Sequence, residues 1–575
     1  MNFLWLSVMH DRPNAASDKA VSDKVKTSSV LVVGAGPVGL TLAMDLALRG
    51  ISVTIVETRS AGEPPSVKCN HVSSRSMEIF RRLGLAQKLR DTGLPADYPN
   101  DCSYRTTATG IELSRILIPC RRDRYTATGG PDTDWPTAEP PHRINQIYME
   151  PALFEHAAAI NGLQILNRTA FEDFSEGNDG IVATVRNLDT GTASQIHADF
   201  IVGCDGARSL VRKAIDANLQ GTPIIQRVQS TYIHAPGLID LMDRPAWMTL
   251  ALNPRRCGTV VAIDGREKWL IHNHLNREDE TFESVDRDAS IRAILGVGPD
   301  FEYKVLSKED WVGRRLVADR FRKGRAFICG DAAHLWMPYA GYGMNAGIAD
   351  ATNLAWLLAA YLQGWADVAI LDAYEAERLP ITEQVSRFAM EMAGKVLSQR
   401  RTVPDAIEQP GPEGDAVRKQ VGQAAYDLNV QQYCCAGLNF GYFYDRSPII
   451  AYDGAEQPGF TMAEFTPSST PGCRLPFAKL SDGRPVYDAL GPGYTLLRYD
   501  PDIAVEPLAE AMRANGVPFA VVDIPAGEVQ AAGHKLILAR TDQHVAWRGD
   551  AIPDDPAPLV GKLLGRAGAP ASAPA

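Results

Sequence analysis

The sequence Val30-Leu31-Val32-Val33-Gly34-Ala35-Gly36-Pro37-Val38-Gly39 joins a short apolar run to three closely spaced glycines. An apolar run of this kind is typical of a buried parallel strand. Residues 40–49 predict a mostly apolar helix, which Gly50 ends, and residues 51–56 predict a second strand. The stretch therefore predicts a strand, a helix and a strand that form one parallel unit.

The spacing of these glycines predicts a turn that binds phosphate. Gly34 permits a tight turn, Gly36 lets the backbone approach a pyrophosphate, and Gly39 allows the helix to pack closely. Pro37 and Val38 complete the loop, where negative charge would face the helix N-terminus. The sequence therefore predicts a bound dinucleotide; the alternative is a tight turn without a ligand.

Later residues distinguish FAD from NAD. Glu57 ends the second predicted strand, where a carboxylate can accept hydrogen bonds from the unphosphorylated ribose of either cofactor. The motif Gly330-Asp331-Ala332-Ala333-His334 places Asp331 after a predicted buried strand at 326–329, near a ribityl or pyrophosphate-side hydroxyl. Gly341-Tyr342-Gly343-Met344-Asn345 then begins a helix whose N–H groups would stabilise the negative charge of a reduced flavin ring. NAD carries no such charge, so these residues favour FAD.

Three motifs recur together: the glycine turn at Gly34, Gly203-Cys204-Asp205-Gly206-Ala207-Arg208-Ser209, and the motif that begins at Gly330. With them the chain resembles the class A flavoprotein monooxygenases, the family of para-hydroxybenzoate hydroxylase and phenol hydroxylase. The resemblance implies FAD as cofactor, NADPH or NADH as co-substrate, and transfer of oxygen from O2 to a phenolic or other aromatic ring through a C4a-hydroperoxyflavin. The alternatives are an FAD-dependent reductase or epoxidase on a non-phenolic substrate, and a protein-binding carrier without cofactor.

The same resemblance implies further cofactor-binding residues. Asp205 and Arg208 would serve the FAD pyrophosphate and the nicotinamide. Lys68 matches a basic residue that contacts an FAD phosphate, and Gln146 matches a glutamine near the ribityl chain. For Lys68 and Arg208 the alternative is a solvated surface charge, because isolated basic residues are mostly exposed.

The substrate side of the site is predicted with fewer residues. His71 is the candidate for assisting phenol ionisation, because imidazole titrates in the right range, and the alternative is a structural histidine. Asn70 precedes it and is a candidate substrate contact, as is Pro338, which matches the family pattern. Tyr339 and Tyr342 depart from that pattern and would either line the pocket or crowd it.

The predicted fold class is α/β: a Rossmann-like FAD-binding domain with an inserted β-sheet substrate domain, plus a C-terminal thioredoxin-like α/β domain. The C-terminal sequence resembles the tail of aromatic hydroxylases and lacks CxxC, which favours packing or dimerisation over disulfide exchange. Residues 101–141 read as irregular because of their glycine and proline breakers. The expected bounds are 1–28 for a flexible leader, 29–221 with 318–400 for the FAD-binding domain, 222–317 for the substrate sheet, 401–465 for a helical linker region and 466–575 for the thioredoxin-like domain.

Composition limits the partners. A formal net charge of −11 over 575 residues argues against a nucleic-acid surface, and no apolar run reaches the length of a membrane span. The nine cysteines show no ligand-like spacing, which indicates reduced thiols in the cytoplasm. His272 and His274 alternate on one predicted strand face but lack a third ligand, so no metal is expected. The expected partners are a small aromatic substrate, O2 and a second copy in a homodimer.

Overall fold

The computed structural model of the protein describes residues 26–68, 70–277, 279–524 and 533–566. Most of the leader expected at 1–28 therefore lies outside the described residues. Within these ranges, no helix combines the length and the apolar character needed to cross a bilayer.

The strands of the described residues fall into three sheets. In chain order they are β1 (Lys26–Val33), β2 (Val53–Val56), β3 (Cys102–Arg105), β4 (Glu112–Ile116), β5 (Leu163–Leu166), β6 (Thr169–Gly177), β7 (Gly180–Asn187), β8 (Ala193–Gly203), β9 (Leu219–His234), β10 (Met248–Ala251), β11 (Gly258–Ala262), β12 (Lys268–Leu275), β13 (Lys304–Ala318), β14 (Arg322–Lys323), β15 (Ala326–Ile328), β16 (His334–Leu335), β17 (Tyr494–Arg498), β18 (Phe519–Asp523), β19 (Leu536–Arg540) and β20 (Val545–Gly549).

The α-helices lie between and around these sheets. In chain order they are α1 (Pro37–Leu48), α2 (Ser74–Arg82), α3 (Ala86–Arg90), α4 (Gln146–Ala158), α5 (Leu210–Ala214), α6 (Arg287–Leu295), α7 (Gly343–Leu362), α8 (Asp372–Arg401), α9 (Pro412–Tyr433), α10 (Ala436–Phe440), α11 (Glu506–Ala514) and α12 (Ala557–Leu563).

The first sheet brings the three motifs to one edge. Its strands run in the order β14-β15-β8-β1-β2-β5, with β7 and β6 attached beside β8. The pairs β1–β2, β1–β8, β8–β15 and β2–β5 are parallel. In register, Val33 lies beside Val56 and Gly203, and Gly203 lies beside Ile328. Because the carboxyl ends of parallel strands share one edge, the loops that follow these four residues converge there.

The local elements of this domain follow the sequence pattern. The expected strand, helix and strand are β1, α1 and β2. The hairpin expected around 181–185 and 194–198 is β7 with β8, in which Ile181 pairs with Ala198. The expected helix at 344–362 is α7, which begins one residue earlier.

Helices α1 and α7 pack closely through glycine. A Cβ added at Gly347 would lie 2.7 Å from Val38 Cγ2 and 2.9 Å from Gly330 Cα. A Cβ added at Gly39 would lie 2.0 Å from Gly34 O. The first turns of both helices therefore pack against the glycine turns at Gly34 and Gly330. Glycine is required at Gly39 and Gly347, because a side chain there would overlap with these turns.

The second sheet stands beside the motif edge. Its order is β16-β13-β9-β12-β11-β10-β3-β4. Neighbouring strands pair antiparallel except β3 with β10, which are parallel. Helix α6 covers one face, where a Cβ added at Gly258 would lie 2.4 Å from Ile294 Cδ1.

The prediction that residues 101–141 are irregular is wrong for part of that stretch. Strands β3 and β4 lie within it, and Cys102 and Tyr104 are buried. β3 is held by β10, with Cys102 opposite Met248 and Tyr104 opposite Leu250. This pairing joins residues far apart in sequence, so tertiary contacts override local composition.

The third sheet forms the C-terminal region in the order β18-β17-β19-β20. Strands expected at 495–497, 519–522, 535–539 and 544–546 correspond to its members, and the helix expected at 503–515 is α11. Strand β17 pairs parallel with β18 and antiparallel with β19. Residues 525–532 and 567–575 lie outside the description.

A buried ionic contact joins this third sheet to the rest of the chain. Arg540 on β19 is fully buried and donates to both oxygens of Glu377 on α8, at 2.5 and 2.8 Å. Its Nη2 also donates to Asp542 at 2.7 Å. Since a buried carboxylate without a partner is costly, each partner depends on the other.

We predict that Arg540→Met lowers the free energy of unfolding by about 3–5 kcal/mol, because Glu377 and Asp542 would stay buried without their cation. Urea unfolding followed by circular dichroism measures this change. Arg498→Met is the control, since its pair with Asp523 is partly exposed and is worth at most about 1 kcal/mol. Equal stability of Arg540→Met and the wild type would contradict the prediction.

Candidate functional site

The first glycine turn has the geometry of a phosphate-binding loop. Gly34 has φ of +103°, and a Cβ there would lie 2.5 Å from Cys204 O, so no side chain fits. A Cβ at Gly36 would meet nothing within 4 Å. Gly36 caps helix α1 without a side-chain hydrogen bond, and Pro37 follows it. The helix N-terminus is therefore open to an anion at Gly36.

Glu57 lies at the same edge and is held by its neighbours. It accepts hydrogen bonds from the N–H groups of Ala35 and Arg59 at 2.8 and 2.9 Å. Burial acts to raise the pKa of Glu57, but the hydrogen bonds from Arg59 and Ala35 outweigh it and lower that pKa. The carboxylate is thus ionised and oriented, as ribose binding requires.

Arg59 links Glu57 to the predicted Gln146. Its Nη1 lies 2.5 Å from Glu150 Oε1, and Gln146 donates to the other oxygen of Glu150 at 2.8 Å. Sequence reasoning missed Arg59 and Glu150. The available signal was the position of Arg59 two residues after the ribose-binding candidate.

Lys68 and Asn70 lie beside the start of helix α4. Gln146 N–H donates to Lys68 O at 3.2 Å, and Asn145 donates to the side chain of Asn70. The Lys68 ammonium lies 2.5 Å from Glu309 on β13, and both side chains are partly exposed. The structure therefore brings Lys68, Asn70 and Gln146 together, at the junction with the second sheet.

Asp205 carries an unsatisfied oxygen at the motif edge. Its Oδ2 accepts from Leu210 N–H at 2.7 Å, whereas the buried Oδ1 has no hydrogen-bond partner within the described part of the chain. Burial raises the pKa of this carboxyl. Arg208 is exposed on the following loop. An oxygen of this kind is suited to a hydroxyl donor, such as one on a ribose or ribityl chain.

The third motif places Asp331 and the start of α7 against the same edge. Asp331 is accessible to solvent, yet desolvation by the surrounding chain raises the pKa of its carboxyl. Tyr342 caps α7 without a side-chain hydrogen bond, and no acidic residue lies in the first turn. A Cβ at Gly343 would meet nothing within 4 Å, and Met344 beside it is partly buried.

Asn345 ties this helix to the segment that carries His71. Its Oδ1 accepts from Ser73 N–H at 2.9 Å. Its Nδ2 donates to His71 O at 3.2 Å and to Gly341 O at 2.6 Å. The predicted flavin helix and the predicted catalytic segment are therefore held together by one buried amide.

Asp350 lies about two turns into α7 and holds both ends of the third motif through hydrogen bonds. It accepts from Gly330 N–H at 3.3 Å, from His334 Nε2 at 2.6 Å and from Arg378 Nε at 2.8 Å. Burial acts to raise its pKa, but Arg378 and His334 lower it. Sequence reasoning missed this carboxylate, because an acid inside a helix resembles a solvated residue.

His71 is buried beside Gly341, where a Cβ would lie 3.1 Å from the His71 ring. The guanidinium of Arg143 donates to His71 Nδ1 and stacks on Trp247 with 4.7 Å to the ring centroid. Burial, Arg143 and His142 hold the pKa of His71 well below 6.5. The imidazole is therefore neutral near pH 7. Arg143, which sequence reasoning missed, is its immediate polar neighbour.

The three remaining substrate candidates differ in accessibility. Pro338 is exposed and Tyr339 is partly exposed. Tyr342 is 3% exposed and packs in a hydrophobic cluster with Ile381 and Val385. Contact between Tyr342 and a substrate stays a prediction, and it requires this cluster to open.

The paired histidines of β12 bind hydroxyl groups. His272 Nδ1 lies 3.1 Å from Ser230 Oγ, and His274 Nε2 lies 3.1 Å from Thr259 Oγ1. Over the ranges that the structure describes, no three histidine, cysteine or acidic side chains are arranged to hold a metal ion.

The residues present fit a dinucleotide with a flavin. Two helix N-termini without side-chain caps begin at glycines that leave open space, and the orphan oxygen of Asp205 lies at the same edge. The pyrophosphate would lie at Gly36 and the electron-rich edge of the ring at Gly343. The fold and these loops define a flavoprotein with a Rossmann-like FAD site.

Comparison with known proteins agrees with this class. A family model described as an FAD binding domain matches residues 27–389, so the chain belongs to this FAD-binding family. Within it, the chain is a class A flavoprotein monooxygenase, similar to the FAD-dependent monooxygenase apdD of Emericella nidulans with 30% identity over 92% of this chain and 89% of that protein. Phenol 2-monooxygenase of a Pseudomonas species is 28% identical over 96% of this chain and 94% of its own length.

Solved structures share the whole architecture. The rebeccamycin biosynthetic enzyme RebC with reduced flavin superposes with a TM-score of 0.85 at 31% identity, over 94% of this chain and 99% of that one. Aklavinone-11 hydroxylase in complex with FAD and aklavinone gives a TM-score of 0.76 at 26% identity, with the same coverage of the two chains.

We predict that Gly36→Ala folds normally but weakens FAD binding by at least about tenfold, because the new Cβ would occupy the approach to the pyrophosphate. Gly36 has φ of −73°, and its Cβ would meet no protein atom, so the backbone tolerates alanine. Fluorescence titration of the apoprotein with FAD measures the affinity. Gly394→Ala, at an equally open position in α8, is the control and keeps wild-type affinity. Unchanged affinity in Gly36→Ala would refute the assignment of this turn.

We predict that stability falls as the pH drops below about 6.5. Burial lowers the pKa of His142 to about 3 and that of His272 to about 4. Between these values and 6.5, the two histidines are protonated in the unfolded chain and neutral in the folded chain. As the pH falls below the pKa of the unfolded chain, the free energy of unfolding therefore decreases by about 1.4 kcal/mol per pH unit for each histidine. Urea unfolding from pH 7 to pH 5 measures the slope. His142→Gln reduces the slope of stability against pH. His234→Gln, at a partly exposed histidine, is the control and keeps the slope. A free energy of unfolding that does not change between pH 7 and pH 5 would contradict the prediction.

Proposed function

We propose that this enzyme uses NADPH or NADH and O2 to hydroxylate a phenolic or similarly electron-rich aromatic ring. The observation that carries the proposal is the contact of His71 with Arg143 beside the loop that precedes the flavin helix. A neutral imidazole and an adjacent guanidinium are suited to a phenol that must lose its proton. Bound FAD supplies the redox chemistry that activates oxygen and delivers one of its atoms.

The chain's own residues hold the cofactor in this proposal. The open turn at Gly36 binds the pyrophosphate, and Glu57 binds the adenosine ribose. Asp205 and Asp331 would bind hydroxyls of the cofactor between these two groups, and the N–H groups that begin α7 at Gly343 would stabilise negative charge on the flavin ring. Because those donors are fixed by helix α7, they stabilise developing negative charge without reorganising.

His71 and Arg143 act on the substrate. His71 takes up the phenolic proton at Nδ1 when Arg143 turns from Nδ1 to the phenolate oxygen, and the charge of Arg143 then lowers the free energy of that phenolate. An ionised phenol is a stronger carbon nucleophile. Both side chains are buried, which excludes the water that would compete for oxygen transfer.

The names of relatives support this substrate class. Phenol 2-monooxygenase and 2,4-dichlorophenol 6-monooxygenase are named for phenols, and aklavinone-11 hydroxylase for hydroxylation of aklavinone. We extend the phenolic class to this chain. An FAD-dependent reductase or epoxidase is the alternative.

The remaining proposals concern organisation. We propose a cytoplasmic homodimer in which NADPH or NADH binds without a domain of its own, and in which Arg208 contributes to that binding. The domain bounds expected from the sequence are retained, except that residues 102–116 are assigned to the substrate sheet because β3 and β4 pair within it. The C-terminal region is proposed to be thioredoxin-like and to serve packing.

We predict that suitable phenols stimulate NAD(P)H oxidation by the holoenzyme and that label from oxygen gas enters the product. Mass spectrometry of the product distinguishes hydroxylation from peroxide release. His71→Asn keeps FAD and lowers hydroxylation by at least about a hundredfold, the low end for general base catalysis. His234→Asn, at the end of β9, is the control. Label that comes only from water would refute the proposal, and oxidation of NAD(P)H without oxygen incorporation would favour the reductase.

A further inference from the structure

Arg400 is a buried arginine without a counter-charge. It is 8% exposed near the end of α8, and no carboxylate pairs with it anywhere in the described ranges. Most other buried arginines pair with carboxylates, such as Arg378 with Asp350 and Arg540 with Glu377. A buried cation that lacks a partner is costly, so its retention calls for an anion supplied from outside the chain.

The position of Arg400 connects it to the third motif. Its Nη1 lies 3.4 Å from Tyr339 Oη. Tyr339 follows Pro338 in the loop between Asp331 and the start of α7. The guanidinium therefore lies against the loop that is proposed to border the substrate.

One row of side chains on the second sheet faces the same space. Directly paired residues share a face of a sheet, and the register aligns Glu309, Ser230, His272, Thr259, Leu250 and Tyr104. Glu309 in this row binds the cofactor candidate Lys68. Helix α6 covers the other face, through Ile294 at Gly258. The row thus faces the cofactor side.

Arg400 lies close to this row. After burial, its charge is the next cause that lowers the pKa of His272 and of His274. It also opposes the rise in the pKa of Tyr104 and Tyr433 that burial produces. A direct contact also places the end of α8 against this sheet, because Cys257, which precedes β11, donates through Sγ to Arg400 O at 3.6 Å.

A second observation points to a ligand here. His274 is 7% exposed, and its Nδ1 is buried without a hydrogen-bond partner among the described residues, while Nε2 binds Thr259. Buried polar atoms are nearly always satisfied, so an unpaired nitrogen beside an unpaired cation marks a place where a ligand completes the contacts.

Resting on the proposed function, we infer that the substrate is an aromatic compound that bears a carboxylate, and that Arg400 binds this carboxylate between α8 and the second sheet. Arg143 and His71 bind the phenolic oxygen of the same molecule. Arg400 determines specificity and takes no part in oxygen transfer.

The chemistry of the site selects a carboxylate. A guanidinium presents two parallel N–H groups that match the two oxygens of a carboxylate. A phenolate offers one oxygen, for which Arg143 and His71 are already placed. A single guanidinium with histidines held neutral suits one negative charge better than a polyanion.

The test compares acids with their neutral amides. The first pair of probes is para-hydroxybenzoate and para-hydroxybenzamide. The second pair is a hydroxynaphthoate and the hydroxynaphthamide with the same substitution pattern. Dissociation constants for the FAD-loaded enzyme come from equilibrium dialysis, which does not depend on turnover. In at least one pair the acid binds tenfold or more tightly than the amide, as expected for a charge-assisted contact.

Variants assign this preference to one residue. Arg400→Gln brings the ratio of the dissociation constants of amide and acid to about one. Arg400→Lys keeps the positive charge but loses the two parallel N–H donors, and it gives an intermediate ratio. Arg401→Gln is the matched control: Arg401 is exposed, donates to Asn276 O at 2.7 Å, and its loss keeps the wild-type ratio. A ratio near one in both wild-type pairs overturns the inference, and so does a preference that survives Arg400→Gln.

The outcomes separate this inference from the function on which it rests. Hydroxylation of neutral phenols with no preference for acids leaves the proposed function intact and removes this substrate class. An Arg400-dependent preference for acids without label from oxygen gas supports the binding site and refutes hydroxylation.

Discussion

The buried carboxylate of Asp350 is the interaction on which the flavin side of the molecule depends. It binds the backbone N–H of Gly330, the ring of His334 and the guanidinium of Arg378 at once. Gly330 and His334 are the two ends of the third motif, so one acid inside α7 sets the path of that loop. Since Asp350 and His334 are fully buried and Arg378 nearly so, any displacement would leave a charge without a partner in a medium that solvates it poorly.

This constraint continues into the C-terminal region through adjacent residues of α8. Arg378 binds Asp350, and its neighbour Glu377 binds Arg540 of the third sheet. Helix α8 therefore holds the motif loop with one side chain and the C-terminal sheet with the next. Two adjacent residues of α8 thus connect the third sheet to the motif loop through ion pairs.

The sequence predicted the parts whose cause is local. The strand, helix and strand from residue 26 to 56, the long helix after Tyr342 and the C-terminal elements follow from apolar periodicity and glycine positions. Strand β3 was not predicted, because its partner β10 lies far along the chain. Arg59, Glu150 and Asp350 were missed for a related reason: a charged residue in a helix or loop has the same local pattern whether it is solvated or buried in a pair. The cofactor half of the site was therefore accessible from motifs, whereas the contacts that hold it required the fold.

Charge is distributed unevenly over this acidic chain. With a formal charge of −11, most buried arginines are matched by carboxylates, yet Arg143 and Arg400 lie near the cofactor edge without one. The uncapped beginnings of α1 and α7 add partial positive charge at the same edge. A pyrophosphate, a reduced flavin and an ionised phenol are all anionic. Because the protein concentrates fixed positive charge where these groups meet and neutralises it elsewhere, it favours the electron-rich forms of cofactor and substrate before any chemistry begins.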